Sequence, residues 1–114
     1  MAENKETLNR TALYVTRGTM RLVIATYRDK DTEKVALGLR VKKFEAIARI
    51  AQRKLAVLDA ATKLEDLEVP PGNRLEALSG NRKGQHSIRI NDQYRICFIW
   101  RDKDAYQVEI VDYH

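Results

Sequence analysis

The sequence predicts a single α+β domain, with an N-terminal strand and two helices packed on an antiparallel β-sheet meander. Three observations predict it. Apolar and polar residues alternate through three runs near the C-terminus, 85–90, 94–100 and 105–111, and such alternation marks half-buried strands. Residues 41–63 instead place Phe44, Ile47, Ala48, Ala51, Leu55 and Leu58 at helical spacing, a stripe that buries against a sheet. Turn-forming clusters separate these segments, including Pro70-Pro71-Gly72, Asn91-Asp92-Gln93 and Arg101-Asp102-Lys103-Asp104.

A chain of 114 residues with 44% hydrophobic content is large enough for one modest core. The formal charge of +5 favours anionic partners, without separating RNA, DNA, a membrane surface or an acidic protein. One cysteine, Cys97, gives no internal disulfide, and two histidines give no His-rich metal site. No cofactor and no metal are expected. No apolar stretch approaches the ~20 residues of a membrane span, and the N-terminus lacks a secretory h-region. The expected compartment is the cytoplasm, with no membrane partner.

In chain order, residues 1–19 read as an N-terminal extension outside the core, with a short added helix as the competing reading. The folded domain then spans 20–114, and Met20 opens a first strand ending near Thr26. Residues 30–39 form a short helix, capped by Asp31 or Thr32 and ending near Gly38. The helix over 41–63 carries Lys42, Arg49 and Arg53 on the face opposite its apolar stripe, flanked by Lys43 and Lys54. Such a basic back is either a soluble surface or a source of sequence-independent affinity for phosphates. Residues 74–78 form another strand, and Gly80-Asn81-Arg82-Lys83-Gly84 a basic turn without the spacing of a nucleotide-binding loop.

Register in the closing hairpins follows from the pattern, because a one-residue slip turns every side chain over. Ile90 lies opposite Tyr94, Phe98 opposite Val108, and Ile96 opposite Ile110. One face is then apolar. The other carries Ser87, Arg89, Arg95, Cys97, Glu109 and Val111, with Tyr113 just beyond. Arg89 falls across from Arg95, an unfavourable like-charge pair. Two readings are open: a guanidinium fork for phosphate or carboxylate, or two arginines leaning apart or pairing with Glu109 or another acid.

The stretch Asn73-Arg74-Leu75-Glu76-Ala77-Leu78-Ser79-Gly80-Asn81-Arg82-Lys83-Gly84-Gln85-His86-Ser87-Ile88 resembles the leucine, glycine and serine framework of HigB toxins. These belong to the RelE/ParE superfamily of toxin–antitoxin systems. Asp92-Gln93-Tyr94-Arg95-Ile96-Cys97-Phe98 is similar to the family's arginine-bearing central strand, and Asp112-Tyr113-His114 to its closing triplet. The likeness runs from Met20 to the C-terminus and is nearest to the GraT-like branch. It implies a RelE-like fold and a toxin that cuts mRNA in the ribosomal A site without a metal ion. A cognate HigA-type helix-turn-helix antitoxin would silence it.

Carried over by position, Arg95 stabilises the phosphate, while Asp112, Tyr113 and His114 form the catalytic end. Metal-free cleavage uses the ribose 2′-OH as nucleophile, so it needs a base, an acid and a cation. His114 suits proton transfer near neutral pH. Arg95, with Arg89, stabilises charge on phosphorus. Tyr113 stacks on a base or positions the phosphate, and Asp112 orients His114 or Arg95. Arg74, Arg82, Lys83, Lys42, Arg49 and Arg53 are the remaining candidate RNA and ribosome contacts. One departure stands out: many HigB proteins carry His and Lys where this chain has Glu76 and Ser79. Glu76 is then either a base or a surface carboxylate. Two other functions stay open, a ParE-like toxin acting on DNA gyrase and a non-catalytic RNA-binding module.

Overall fold

The computed structural model describes residues 22–113, so the extension over 1–19, the start at Met20 and the terminal His114 lie outside the described residues. Helix α1 (Lys30–Ala36) comes first, followed by a 3-10 helix (Lys42–Ile47) and helix α2 (Ala48–Ala60). Two 3-10 turns, Leu64–Glu68 and Pro71–Asn73, lead into the sheet. Its strands are β1 (Glu76–Ala77), β2 (His86–Arg89), β3 (Tyr94–Arg101) and β4 (Asp104–Asp112), in antiparallel order β1-β2-β3-β4.

Helix α1 begins at Lys30 as expected, but its cap is neither Asp31 nor Thr32, and it ends at Ala36 rather than near residue 39. Asp29 is its N-cap, with Oδ1 accepting from the Thr32 amide at 2.6 Å and Oδ2 from the Thr32 hydroxyl at 3.1 Å. The reason is that Asp29 stays extended (φ −141°, ψ 162°) while Asp31 and Thr32 are already helical, as capping requires. Gly38 (φ +83°) ends it with a left-handed residue.

The helix predicted over 41–63 is divided. Phe44 and Ile47 are three apart, and in a 3-10 helix such residues eclipse on one side, which buries both. Ile47 then leaves helical geometry (φ −112°, ψ 5°) before α2 starts. From there Ala51, Leu55 and Leu58 continue the stripe at α-helical spacing, all 2% exposed or less. Ala48 is only half-buried. Ala61 turns to extended backbone (φ −69°, ψ 138°), so the helix stops short of Lys63.

The buried stripe packs on Ile88, Ile90, Ile96, Phe98, Val108 and Ile110, the apolar sheet face. Full burial of such side chains contributes about 1.5–3 kcal/mol each, and Phe98→Ala would cost about 3–5 kcal/mol. Tyr94 meets Phe44 edge-on, with ring centroids 5.8 Å apart.

The predicted register holds for Arg89 opposite Arg95 and Ile96 opposite Ile110. A bulge interrupts the ladder between Cys97 and Ile99, so Phe98 and Val108 are both buried without a regular ladder pairing. The extra residue on β4 is accommodated at Gln107 (φ +55°). That bulge also explains why the described residues 22–28 form no regular strand. They meet β4 in parallel through Ile24–Ala105 and Tyr27–Val108 bridges, because β4 leaves extended geometry between them at Gln107. No helix among the described residues is long and apolar enough to cross a membrane.

Candidate functional site

The face of the sheet turned away from the helices is built in rows. Glu76, Ser87, Cys97 and Glu109 form one row, and Arg89, Arg95 and Val111 the next. Tyr113 follows, its amide donating to the Gln93 carbonyl at 2.6 Å. The like-charge pair is resolved by sending the two guanidinium groups to different partners. Arg89 Nη2 pairs with Asp92 Oδ1 in the β2–β3 loop, a loop that Asn91 closes by accepting from the Gln93 and Tyr94 amides.

Arg95 turns inward and is only 8% exposed. Its Nε donates to Ser87 Oγ at 2.7 Å, and Nη2 to the carbonyls of Arg74 at 2.5 Å and Ser87 at 3.3 Å. The Glu76 carboxylate lies 3.8 Å from Nη2. Nη1 makes no hydrogen bond to any described residue. A buried charge demands hydrogen bonds, and here nearly all come from neutral oxygens.

Around this group lies a cleft of about 340 Å3, lined by Arg74, Arg89, Arg95, Glu76, Asp92 and Tyr113 among others. That volume is at the small end of ligand sites, which run ~300–1,000 Å3. Three guanidinium groups face two carboxylates, so these residues carry a net charge of +1, suited to a phosphodiester.

The structure therefore brings together Arg95, Arg89, Arg74, Glu76 and Tyr113. Asp112 is elsewhere: it pairs in register with Tyr94, on the helix-facing side of β4, and accepts from Gln93 Nε2 at 3.1 Å. Strand alternation puts it on the face opposite Arg95. Arg82 donates to Gln85 Oε1 at 3.0 Å and Glu109 Oε1 at 3.3 Å, and Lys83 is exposed beside it. Lys42, Arg49 and Arg53 are exposed and do not line the cleft. Ser79 is likewise exposed outside it.

Besides Asp66, held below the ordinary carboxylate range by hydrogen bonds from Thr62, two groups among the described residues have displaced ionisation. Burial, then Arg53 and Arg89, lower the pKa of Lys54, so the basic helix back and the cleft share a positive field. Burial pushes the Cys97 thiol up, against the opposing pull of Arg82. Among the described residues no group of three His, Cys, Asp or Glu is placed to hold a metal ion.

Ser87, Asp92 and Lys54 escape a reading by residue type. A signal for Ser87 exists: it is the diagonal neighbour of Arg95 across β2 and β3, within reach of a long side chain. Lys54 gives none, because its partner, Asn73, lies in a distant turn.

The chain is similar to known proteins. Residues 25–114 match the family model described as RelE-like toxin of type II toxin-antitoxin system HigB. Toxin HigB-1 of Vibrio cholerae serotype O1 is 60% identical over 50 residues, 44% of this chain and 53% of that protein. An uncharacterized protein of Haemophilus influenzae is 34% identical over 57 residues, 50% of this chain and 56% of that one. Each match thus spans about half the length of the curated relative. Among solved structures, the YoeB-YefM complex from Staphylococcus aureus aligns over 80% of this chain and 97% of that chain, at 18% identity and a TM-score of 0.48; at that score the likeness adds no weight. The family match covers most of the chain, and the chain belongs to the HigB-like family of RelE-like toxins from type II toxin–antitoxin systems.

Proposed function

We propose that the domain spanning 20–114 is a ribosome-dependent, metal-independent mRNA endoribonuclease that blocks translation in the cytoplasm. Its partner in restraint is a cognate HigA-type helix-turn-helix antitoxin. The observation that carries this reading is Arg95, held in place by neutral oxygens and facing a cleft that also contains Glu76, Arg89 and Tyr113.

In the proposed step the ribose 2′-oxygen attacks the adjacent phosphorus, and the bond from phosphorus to the 5′-oxygen breaks. The products are a 2′,3′-cyclic phosphate and a 5′-hydroxyl. A base takes the 2′-OH proton, and an acid returns one to the leaving oxygen. Glu76 is the carboxylate beside Arg95 and half exposed, so it serves as the base. His114, next to Tyr113, serves as the acid. Arg95 Nη1 donates to the non-bridging oxygen that gains charge, and a donor at such a position contributes about 10²–10³ in rate. Tyr113, 36% exposed at the cleft, stacks on the neighbouring base.

Ribosomes programmed with mRNA provide the test. The chain should cut a ribose-containing message, leave 2′,3′-cyclic phosphate ends, and spare the same message carrying 2′-deoxyribose at the cut position. Cutting at the deoxy position, or no cutting at all, contradicts the reading. Inhibition of gyrase supercoiling by the uncut system would favour the ParE-like alternative instead.

A further inference from the structure

Arg95 is clamped from two directions. Ser87 holds it from the sheet, and the Arg74 carbonyl holds it from the turn after Pro71–Asn73. That carbonyl is aimed by a left-handed backbone at Arg74 (φ 45°, ψ 59°), a conformation that a residue with a Cβ adopts only where its surroundings impose it.

The surroundings centre on Asn73. It is fully buried, with Nδ2 donating to the carbonyls of Leu67 at 3.1 Å and Val69 at 3.2 Å. Its Oδ1 accepts from Lys54 Nζ on α2. Its own amide donates to the Pro70 carbonyl at 2.9 Å, and the Arg74 amide to the Pro71 carbonyl at 3.0 Å. One side chain therefore fastens the turn to the preceding loop and to the helix. A buried amide so fully satisfied defines a single backbone arrangement.

We infer that Asn73 and Lys54 are positioning residues for Arg95: they fix the turn so that the Arg74 carbonyl holds Nη2 and leaves Nη1 for a phosphate oxygen. The catalytic half of this inference rests on the proposed endoribonuclease reading, whereas the geometric half does not. Lys54 does not line the cleft, and its hydrogen bond goes to Asn73. Its charge is also felt at Arg89 of the lining, a through-space effect that Lys54→Arg preserves and that would change KM rather than the protection of Nη2.

The experiment uses the full chain with Asn73→Ala, Lys54→Met and Lys54→Arg. Lys54 is partly exposed, so Lys54→Met keeps the test open even where Asn73→Ala fails to fold. The first readout is the 15N guanidinium spectrum of Arg95. In the wild type its Nη2 protons should exchange slowly and its Nε proton should be protected by Ser87. Lys54→Met and Asn73→Ala should speed exchange of the Nη2 proton that the Arg74 carbonyl holds, while the Nε proton, held by Ser87, stays protected, and Lys54→Arg should restore the wild-type pattern. The second readout is cleavage on programmed ribosomes, where kcat should fall roughly ten- to a hundredfold with KM almost unchanged, the signature of a misplaced group.

Unchanged Nη2 protection in Lys54→Met overturns the inference. So does released Nη2 with an unaltered kcat, or a rise in KM alone, which would mark Lys54 as a simple RNA contact. A wild-type chain that cuts nothing refutes the endoribonuclease reading, and the spectra then decide the positioning by themselves.

Discussion

Two guanidinium groups lie over the same sheet face and are held in opposite ways. At one end Arg82 meets the Glu109 carboxylate at 3.3 Å, and Arg28 approaches the same oxygen at 3.8 Å. Arg82 is bonded directly to an acid, which Arg28 shares. At the other end Arg95 is held by a hydroxyl and two carbonyls, with the Glu76 carboxylate farther off at 3.8 Å and half exposed. Its hydrogen bonds among the described residues all go to neutral oxygens. The contrast shows what separates a structural arginine from one available to an anion: neutral acceptors orient a cation without cancelling it.

The strongest way to sharpen that contrast is to remove what faces Arg95. A chain ending after Asp112 loses Tyr113 and His114, and its cleavage of ribosome-bound mRNA should drop by about 10²–10⁴, the range for a lost proton-transfer group. Circular dichroism melting should show a far smaller effect, limited to the buried part of Tyr113 and its amide bond to Gln93. Equal cutting by the shortened chain contradicts the assignment.

Glu76→Gln should lower kcat by about a hundredfold, the lower end for a general base. An unchanged kcat would move the base role to His114. Arg89→Ala should act more weakly, because Arg89 is already paired with Asp92. It should raise KM and reduce the slope of log affinity against log salt by about one, as expected for one lost phosphate contact.

The smallest effect concerns Cys97 on the Arg82 side. Burial raises its folded pKa above the ordinary 9.0, so the folded state holds the thiol proton more firmly than the unfolded chain. Stability from this source is intact below about pH 9 and is lost as pH rises beyond it. Urea midpoints at pH 8 and pH 10 should converge in Cys97→Ala relative to the wild type.

Much of this arrangement is legible in the sequence, for a physical reason. Alternation fixes which side chains share a strand face, and it places Arg89 opposite Arg95 and Ile96 opposite Ile110 without further information. The stripe from Phe44 to Leu58 is equally plain, although its period could not reveal that Phe44 and Ile47 sit in a 3-10 turn, where the same spacing of three also buries both. Asp112 shows the limit of reading by motif. It sits in a triplet with Tyr113, yet adjacent strand residues point to opposite faces, and Asp112 bonds Gln93 on the far side. The holders of Arg95 were illegible for another reason. Asn73 and Lys54 are joined by a contact that depends on where a turn packs against a helix, and no periodicity encodes that.

If Arg95 is oriented for the scissile phosphate while Arg82 is structural, the two must differ in cleavage of ribosome-bound mRNA by Arg95→Ala and Arg82→Ala, compared side by side on samples matched for folded content. Arg95→Ala should lose about 10²–10³ in kcat, whereas Arg82→Ala should keep its kcat and lose only about 1 kcal/mol of stability or less. Equal losses in the two variants, or a larger loss in Arg82→Ala, would contradict that division of roles.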